Sequence, residues 1–138
     1  MKLSGDWIAG FVDGEGCFHV AVNTHPEMTT GFQVLPEFTV VQHQRDIQLL
    51  HALKDHFGCG VVRSNHGDRM AYRVRKLEDL ETKIVPFFRK HSLRSRKKFD
   101  FDKFVEILAL MKVGVHLTGD GIEEIRSITR KMNRGASR

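Results

Sequence analysis

Cysteine is scarce in this sequence. Its 138 residues hold two, Cys17 and Cys59. That is too few for a disulfide framework, and they lack the paired spacing of a zinc site, so a reducing compartment is expected. There is no run of about 18 apolar residues, so no membrane-spanning helix is expected. The opening MKLSGDW has no basic stretch leading into an apolar core, so no secretory leader is expected. No lysine follows the glycines in the manner of a nucleotide-binding loop. His51 and His56 stand five apart, off a shared helix face, and suggest no zinc ligation. A soluble intracellular protein is therefore expected, with its compartment left open and no small-molecule substrate in view. With 41% hydrophobic residues, residues 1–138 suffice for a single domain with its own core.

Positive charge is abundant. Lys and Arg number 22 against 17 Asp and Glu, a net +5. The excess is clustered. RKHSLRSRKK, residues 89–98, carries Arg89, Lys90, Arg94, Arg96, Lys97 and Lys98. A second cluster holds Arg63, Arg69, Arg73, Arg75 and Lys76, and the tail adds Arg126, Arg130, Lys131, Arg134 and Arg138. Clustered cations on a soluble domain suit a polyanion such as nucleic acid, and a solvated basic surface is the alternative.

Ser4 is placed to cap a helix over 5–13, with Asp6 in its first turn. From Trp7 to Val12 that helix has no polar residue, and Ala9 and Gly10 are small. A helix apolar all round is normally buried on all sides, which suggests a partner subunit. Phe18, Val20 and Val22 alternate with His19, Ala21 and Asn23, the pattern of a half-buried strand. THPEMTTG reads as a loop, and 32–42 as a second strand in which Pro36 implies a bulge or an edge. A helix follows over 45–57, stopped by Gly58. A second hairpin pairs 61–64 with 70–76 around Asn65-His66-Gly67-Asp68. Helices are expected over 77–90, with Pro86 near its end, over 99–113, and over 119–133 behind a Thr118 cap; residues 89–98 read as a loop. The order is α-ββ-α-ββ-α-α-α. Four strands in one antiparallel sheet would leave a polar face carrying His19, Asn23, Gln33, Glu37, Thr39, Arg63, Asn65, Arg73 and Arg75. Such a face can enter a DNA major groove, or can simply be solvated.

Helix one ends in Asp13-Gly14-Glu15-Gly16. A carboxylate and backbone carbonyls at a helix end are the hard oxygens that Mg²⁺ prefers. One carboxylate per chain is thin for a metal site, and two chains brought together would supply a pair. Asp13 is expected on the helix and Glu15 beyond it, so the two diverge and do not act as an acid–base pair. An EF-hand is disfavoured because Cys17 stands at a ligand position, and a plain turn is the simplest reading of the four residues.

The segment Ile8-Ala9-Gly10-Phe11-Val12-Asp13-Gly14-Glu15-Gly16 resembles the LAGLIDADG motif, with Ile for the first Leu and Glu for the last Asp. Phe38-Thr39-Val40-Val41-Gln42, PFFRKHSLRSRKKFDF and HLTGDGIEEI extend the resemblance over nearly the whole chain. The family comprises homing endonucleases, mostly encoded in mobile introns, and related intron maturases. The resemblance implies an α+β fold: an αββαββα core, a four-stranded antiparallel saddle-like sheet on one face, helices on the other, and further C-terminal helices. It implies a homodimer, since one motif is present, joined through Trp7, Ile8, Ala9, Gly10, Val12 and Asp13. The partner would be double-stranded DNA with a near-palindromic target, read by His19, Ala21, Asn23, His25, Gln33, Glu37, Thr39, Arg63, Asn65, His66, Arg69, Arg73 and Arg75. Glu15 and the Gly14 carbonyl would hold Mg²⁺ or Mn²⁺, Asp13 would brace the helix end, and Gln42 would order water. The family's usual lysine falls nearest Arg96, with Lys97 and Lys98 adjacent. A maturase, and a DNA-binding regulator that does not cut, are the alternatives on the same fold.

Overall fold

The computed structural model describes residues 1–133. Arg134 and Arg138 of the basic tail lie outside the described residues. The first helix, α1 (Gly5–Glu15), begins where the Ser4 hydroxyl accepts the Trp7 amide hydrogen. It runs two residues further than the expected 5–13, so Glu15 is its last helical residue and does not lie beyond it. The helix stops at Gly16, which turns extended and closes its N–H on the Val12 carbonyl. A side chain at Gly16 would meet Val12 Cγ1 at 2.6 Å. The chain can pass this tightly from helix to strand only through a glycine.

Strands β1 (Gly16–Thr24), β2 (Phe32–His43), β3 (Val61–His66) and β4 (Arg69–Val74) form one antiparallel sheet in the order β1-β2-β4-β3. Pro36 lies opposite Val20, while the ladder to β4 begins only at Phe38. Its missing donor therefore falls where β2 has β1 alone as neighbour; the edge reading holds locally and the β1–β2 register is unbroken. The bulge sits elsewhere, between Ser64 and His66. Asn65, expected in the turn, is the bulged residue, which leaves it out of the regular row.

Helix α2 (Ile47–Phe57) joins the hairpins and ends at Gly58, whose φ of 70° suits glycine. The expected helix over 77–90 is three pieces: α3 (Leu77–Asp79), a π-turn over Leu80–Ile84, and α4 (Val85–Lys90). Pro86 lies in the first turn of α4, where its lack of an N–H is tolerated. Helices α5 (Lys97–Lys112) and α6 (Gly119–Thr129) complete the chain, α6 capped by the Thr118 hydroxyl on the Gly121 N–H. The basic run is thus not all loop: Arg89 and Lys90 end α4, and Lys97 and Lys98 open α5.

The helices cover one sheet face. Phe18 has no exposed surface, and its ring lies 5.1–5.6 Å from those of Phe38, Phe88, Phe101 and Phe104. Each such burial contributes on the order of 2–3 kcal/mol. Asp100 is the buried carboxylate of this layer; it accepts the Asn133 N–H at 2.9 Å. Asn133, at φ 54°, donates its side-chain amide to the Phe18 carbonyl at 3.0 Å, tying the chain beyond α6 to β1. Among the described residues no helix is long and apolar enough to cross a membrane.

Candidate active site and nucleic-acid interface

Register decides which polar residues share the uncovered face. Cys17, His19, Ala21 and Asn23 of β1 lie opposite Thr39, Glu37, Leu35 and Gln33 of β2. Thr39 lies opposite Arg73, and His43 opposite Arg69. Arg63 lies opposite Ala71, and the bulge brings His66 opposite Arg69. Arg75, just past β4, donates Nε to Glu37 Oε1 at 2.8 Å, and Arg73 Nε lies 3.8 Å from the same oxygen. Burial lowers the Arg73 guanidinium from its ordinary value, the Arg75 and Arg63 charges add to this, and Glu37 opposes it. His25 sits in the β1–β2 loop, where its N–H donates to the Gly31 carbonyl. The face carries mostly polar side chains, with Ala21, Leu35 and Ala71 among them, and its arginines lie on the β3–β4 side.

At one end of this sheet lies the acidic turn. Glu15 is exposed, and the Gln42 amide donates to its Oε1 at 3.2 Å and to the Val41 carbonyl at 2.8 Å. Lys97 reaches across from the start of α5 and donates to the Gly16 carbonyl. Arg96 and Lys98, the other two candidates for a basic residue here, point elsewhere. The Arg96 guanidinium lies 4.7 Å over the Phe99 ring and faces the Lys131 carbonyl at 3.5 Å. Lys98 pairs with Asp102 at 2.9 Å. The difference arises from the first turn of α5, which rotates successive side chains by about 100°.

Asp13 and Glu15 diverge, as the sequence suggested. The Asp13 carboxylate accepts the Arg94 N–H at 2.8 Å, the Ser95 N–H at 3.0 Å and the Ser95 hydroxyl at 2.7 Å. Partial burial raises its pKa, but the Ser95 and Arg94 hydrogen bonds and the Lys97 charge prevail and hold it below the usual carboxylate value. Ser95 Oγ also accepts the Lys97 N–H at 3.2 Å. Asp13 is thus clamped to the loop from which Lys97 springs. Sequence reasoning missed Ser95; a serine just ahead of a helix is the signal that marks it.

The family model described as LAGLIDADG endonuclease matches residues 8–108. The chain belongs to the LAGLIDADG endonuclease family. It is 31% identical over 134 residues to a probable intron-encoded endonuclease 2 of Neurospora crassa, covering 96% of this chain and 28% of that protein. The chain spans about a quarter of the length of the curated relatives it matches first. Among solved structures it resembles the homing endonuclease I-TnaI, at 55% identity and TM-score 0.94, over 98% of this chain and 91% of that one. It also resembles the LAGLIDADG homing endonuclease I-SmaMI bound to cleaved DNA, at 33% identity and TM-score 0.93, over 96% of this chain and 44% of that one. These likenesses agree with the α+β fold built above.

In LAGLIDADG terms, α1 is the motif helix, and its wheel is split. Ile8 and Val12, expected at a partner surface, have no exposed area and belong to the chain's own core, and Ala9 keeps 7%. Period 3.6 turns them inward while Trp7 and Gly10 face out and Phe11 is half-buried against the core. Trp7 is 42% exposed and stacks on Phe11 at 4.9 Å. Ala9, Gly10 and Asp13 line an open groove of about 590 Å³ together with Asp6, His91 and Arg94.

No cluster of three or more His, Cys, Asp or Glu suited to a metal occurs among the described residues. The turn nevertheless fits a hard cation chemically. Its donors are oxygens: the Glu15 carboxylate, the last-turn carbonyls of α1, and the Gln42 side-chain carbonyl. The negative end of the helix dipole points the same way. Gly14 and Glu15 are exposed, which leaves room for the waters and phosphate oxygens that Mg²⁺ retains.

Proposed function

We propose that this protein is a homing endonuclease that cuts both strands of double-stranded DNA at a long, near-palindromic site, acting as a homodimer with a divalent metal. The observation that carries this reading is the convergence of Glu15, Gln42 and Lys97 at one end of a polar, arginine-rich sheet face. The family and the DNA-bound state of I-SmaMI support the substrate class. The outward Trp7–Gly10 surface of α1 supports the dimer, because two such helices packed together would set two Glu15 carboxylates near each other.

Residues of the sheet face would bind the major groove, with Arg, Asn and Gln on base edges and the outlying cations on phosphates. Glu15, with the carbonyl of Gly14, would hold Mg²⁺ or Mn²⁺ beside the scissile phosphate. That cation would supply an acidified water and charge stabilisation in phosphodiester hydrolysis. Gln42 braces Glu15 and leaves its own carbonyl to order water. Lys97 brings an ammonium to the edge of the site, where charge develops on the phosphoryl oxygens. No side chain need act as the direct base, since ordered water can carry the proton away.

Glu15→Gln tests the reading. It keeps the size and the hydrogen bond with Gln42 but removes the negative charge. Cleavage should fall by at least about a hundredfold, with DNA binding retained in a mobility-shift assay. Cutting at the wild-type rate would remove Glu15 from the mechanism.

A further inference from the structure

Glu37 is an acid on a sheet face rich in arginine. It lies opposite His19 on β2, in the row that also holds Thr39 and Gln33. An acid there repels DNA unless it reads cytosine or serves another side chain. Its surroundings favour the second. The Glu37 side chain is only 17% exposed, whereas that of Arg75 is 54% exposed. Arg75 donates its Nε to Glu37 Oε1 at 2.8 Å, and a guanidinium bound through Nε still has the N–H donors of its two terminal nitrogens to offer. Arg73 crowds the same oxygen at 3.8 Å, and its buried Nε has no hydrogen-bond partner, so two arginines of the β4 segment flank Glu37. A planar fork held by its Nε has lost most of its rotamer freedom before DNA arrives.

We propose that Glu37 is a positioning residue for base recognition: it holds Arg75 so that the outer edge of the guanidinium donates to O6 and N7 of one guanine in each half-site. The proposal rests on the sheet face being the DNA-reading surface. Removing Glu37 then has two opposed effects. Sequence-independent affinity rises, because a negative charge leaves the surface, while discrimination at one base position falls. A purely structural role would lower both.

The experiment is a binding selection on duplexes with randomised half-sites, in calcium, with bound and unbound DNA sequenced for the wild type, Glu37→Gln, Glu37→Asp and Arg75→Lys. Wild type should show one position per half-site where guanine exceeds every other base by about tenfold or more. Arg75→Lys, which keeps the charge but not the fork, should flatten that position and leave the others intact. Glu37→Gln and Glu37→Asp should both weaken it several-fold, and Glu37→Gln, which removes the charge, should also tighten binding of random DNA. No guanine-dominated position, or one unchanged in Arg75→Lys, overturns the proposal. If a Glu37 variant fails to fold by circular dichroism, the other and Arg75→Lys still decide. A guanine preference without cleavage in magnesium would leave this proposal standing and refute the nuclease reading. Failure to bind any duplex would refute both.

Discussion

At the scale of single residues, the basic run illustrates how adjacent cations differ. Lys97 donates into the acidic turn, Arg96 lies on Phe99, and Lys98 pairs within its own helix. Lys97→Met should therefore slow cleavage about a hundredfold, while Arg96→Met should change it less than about fivefold. Single-turnover rates on one substrate separate the two. Asp13 holds the loop that delivers Lys97. Its folded-state pKa lies below the ordinary value of 3.8, so its contribution is complete above that value and is lost as pH falls through the lower one. Asp13→Asn should cost about 1–2 kcal/mol at neutral pH. The gap between the two melting curves should close as the pH drops below the ordinary carboxylate range. A gap that persists into strong acid would mean that the carboxylate charge is not what anchors the loop.

At the scale of elements, α1 serves two layers. Its Ile8–Val12 side completes the core, and its Trp7–Gly10 side faces out. A Cβ at Gly10 would meet nothing within 4 Å in the chain itself. Within one chain Gly10→Ala should therefore stabilise α1 by about 1 kcal/mol. A bulky charge there should instead oppose close approach of a second α1. On the proposed homodimer, Gly10→Arg is expected to shift sedimentation from dimer to monomer, with an unchanged far-ultraviolet spectrum. Elsewhere, Tyr72 pins β4 to the chain after α2 by donating its hydroxyl to the Cys59 carbonyl at 2.9 Å. Burial, with the nearby Cys59, pushes this hydroxyl far above its ordinary pKa, so it remains a donor. Tyr72→Phe should lower the unfolding free energy by about 1 kcal/mol in urea titration.

For the whole molecule, binding and chemistry should respond to different ions. Chelation of divalent metal is expected to stop cleavage while a mobility-shifted DNA complex persists, and Mg²⁺ should restore cutting. Binding should weaken steeply with monovalent salt, by about three decades or more between about 50 and 200 mM if at least six phosphates are neutralised. A flat salt response would mean that the basic clusters do not meet phosphates.

Much of this was legible in the amino-acid order. Alternation in Phe18–Asn23, the Ser4 and Thr118 caps and the Gly58 stop are local signals, and each sits in the element it announces. The π-turn before Pro86 and the bulge at Asn65 were not legible, because they answer to packing and pairing with distant segments. So too for the site. Glu15 stands out in sequence because residues 8–16 resemble the family motif. The clamp of Asp13 on Ser95 joins residues far apart in the chain, and the choice of Lys97 over Arg96 depends on how α5 is rotated against β1. Periodicity and capping are properties of a few consecutive residues, so the sequence by itself determined the elements, their order and the motif helix. Which cation reaches the acidic turn, which arginine Glu37 holds, and which side of α1 is left for a partner are set by contacts between elements. Those only the tertiary structure decided.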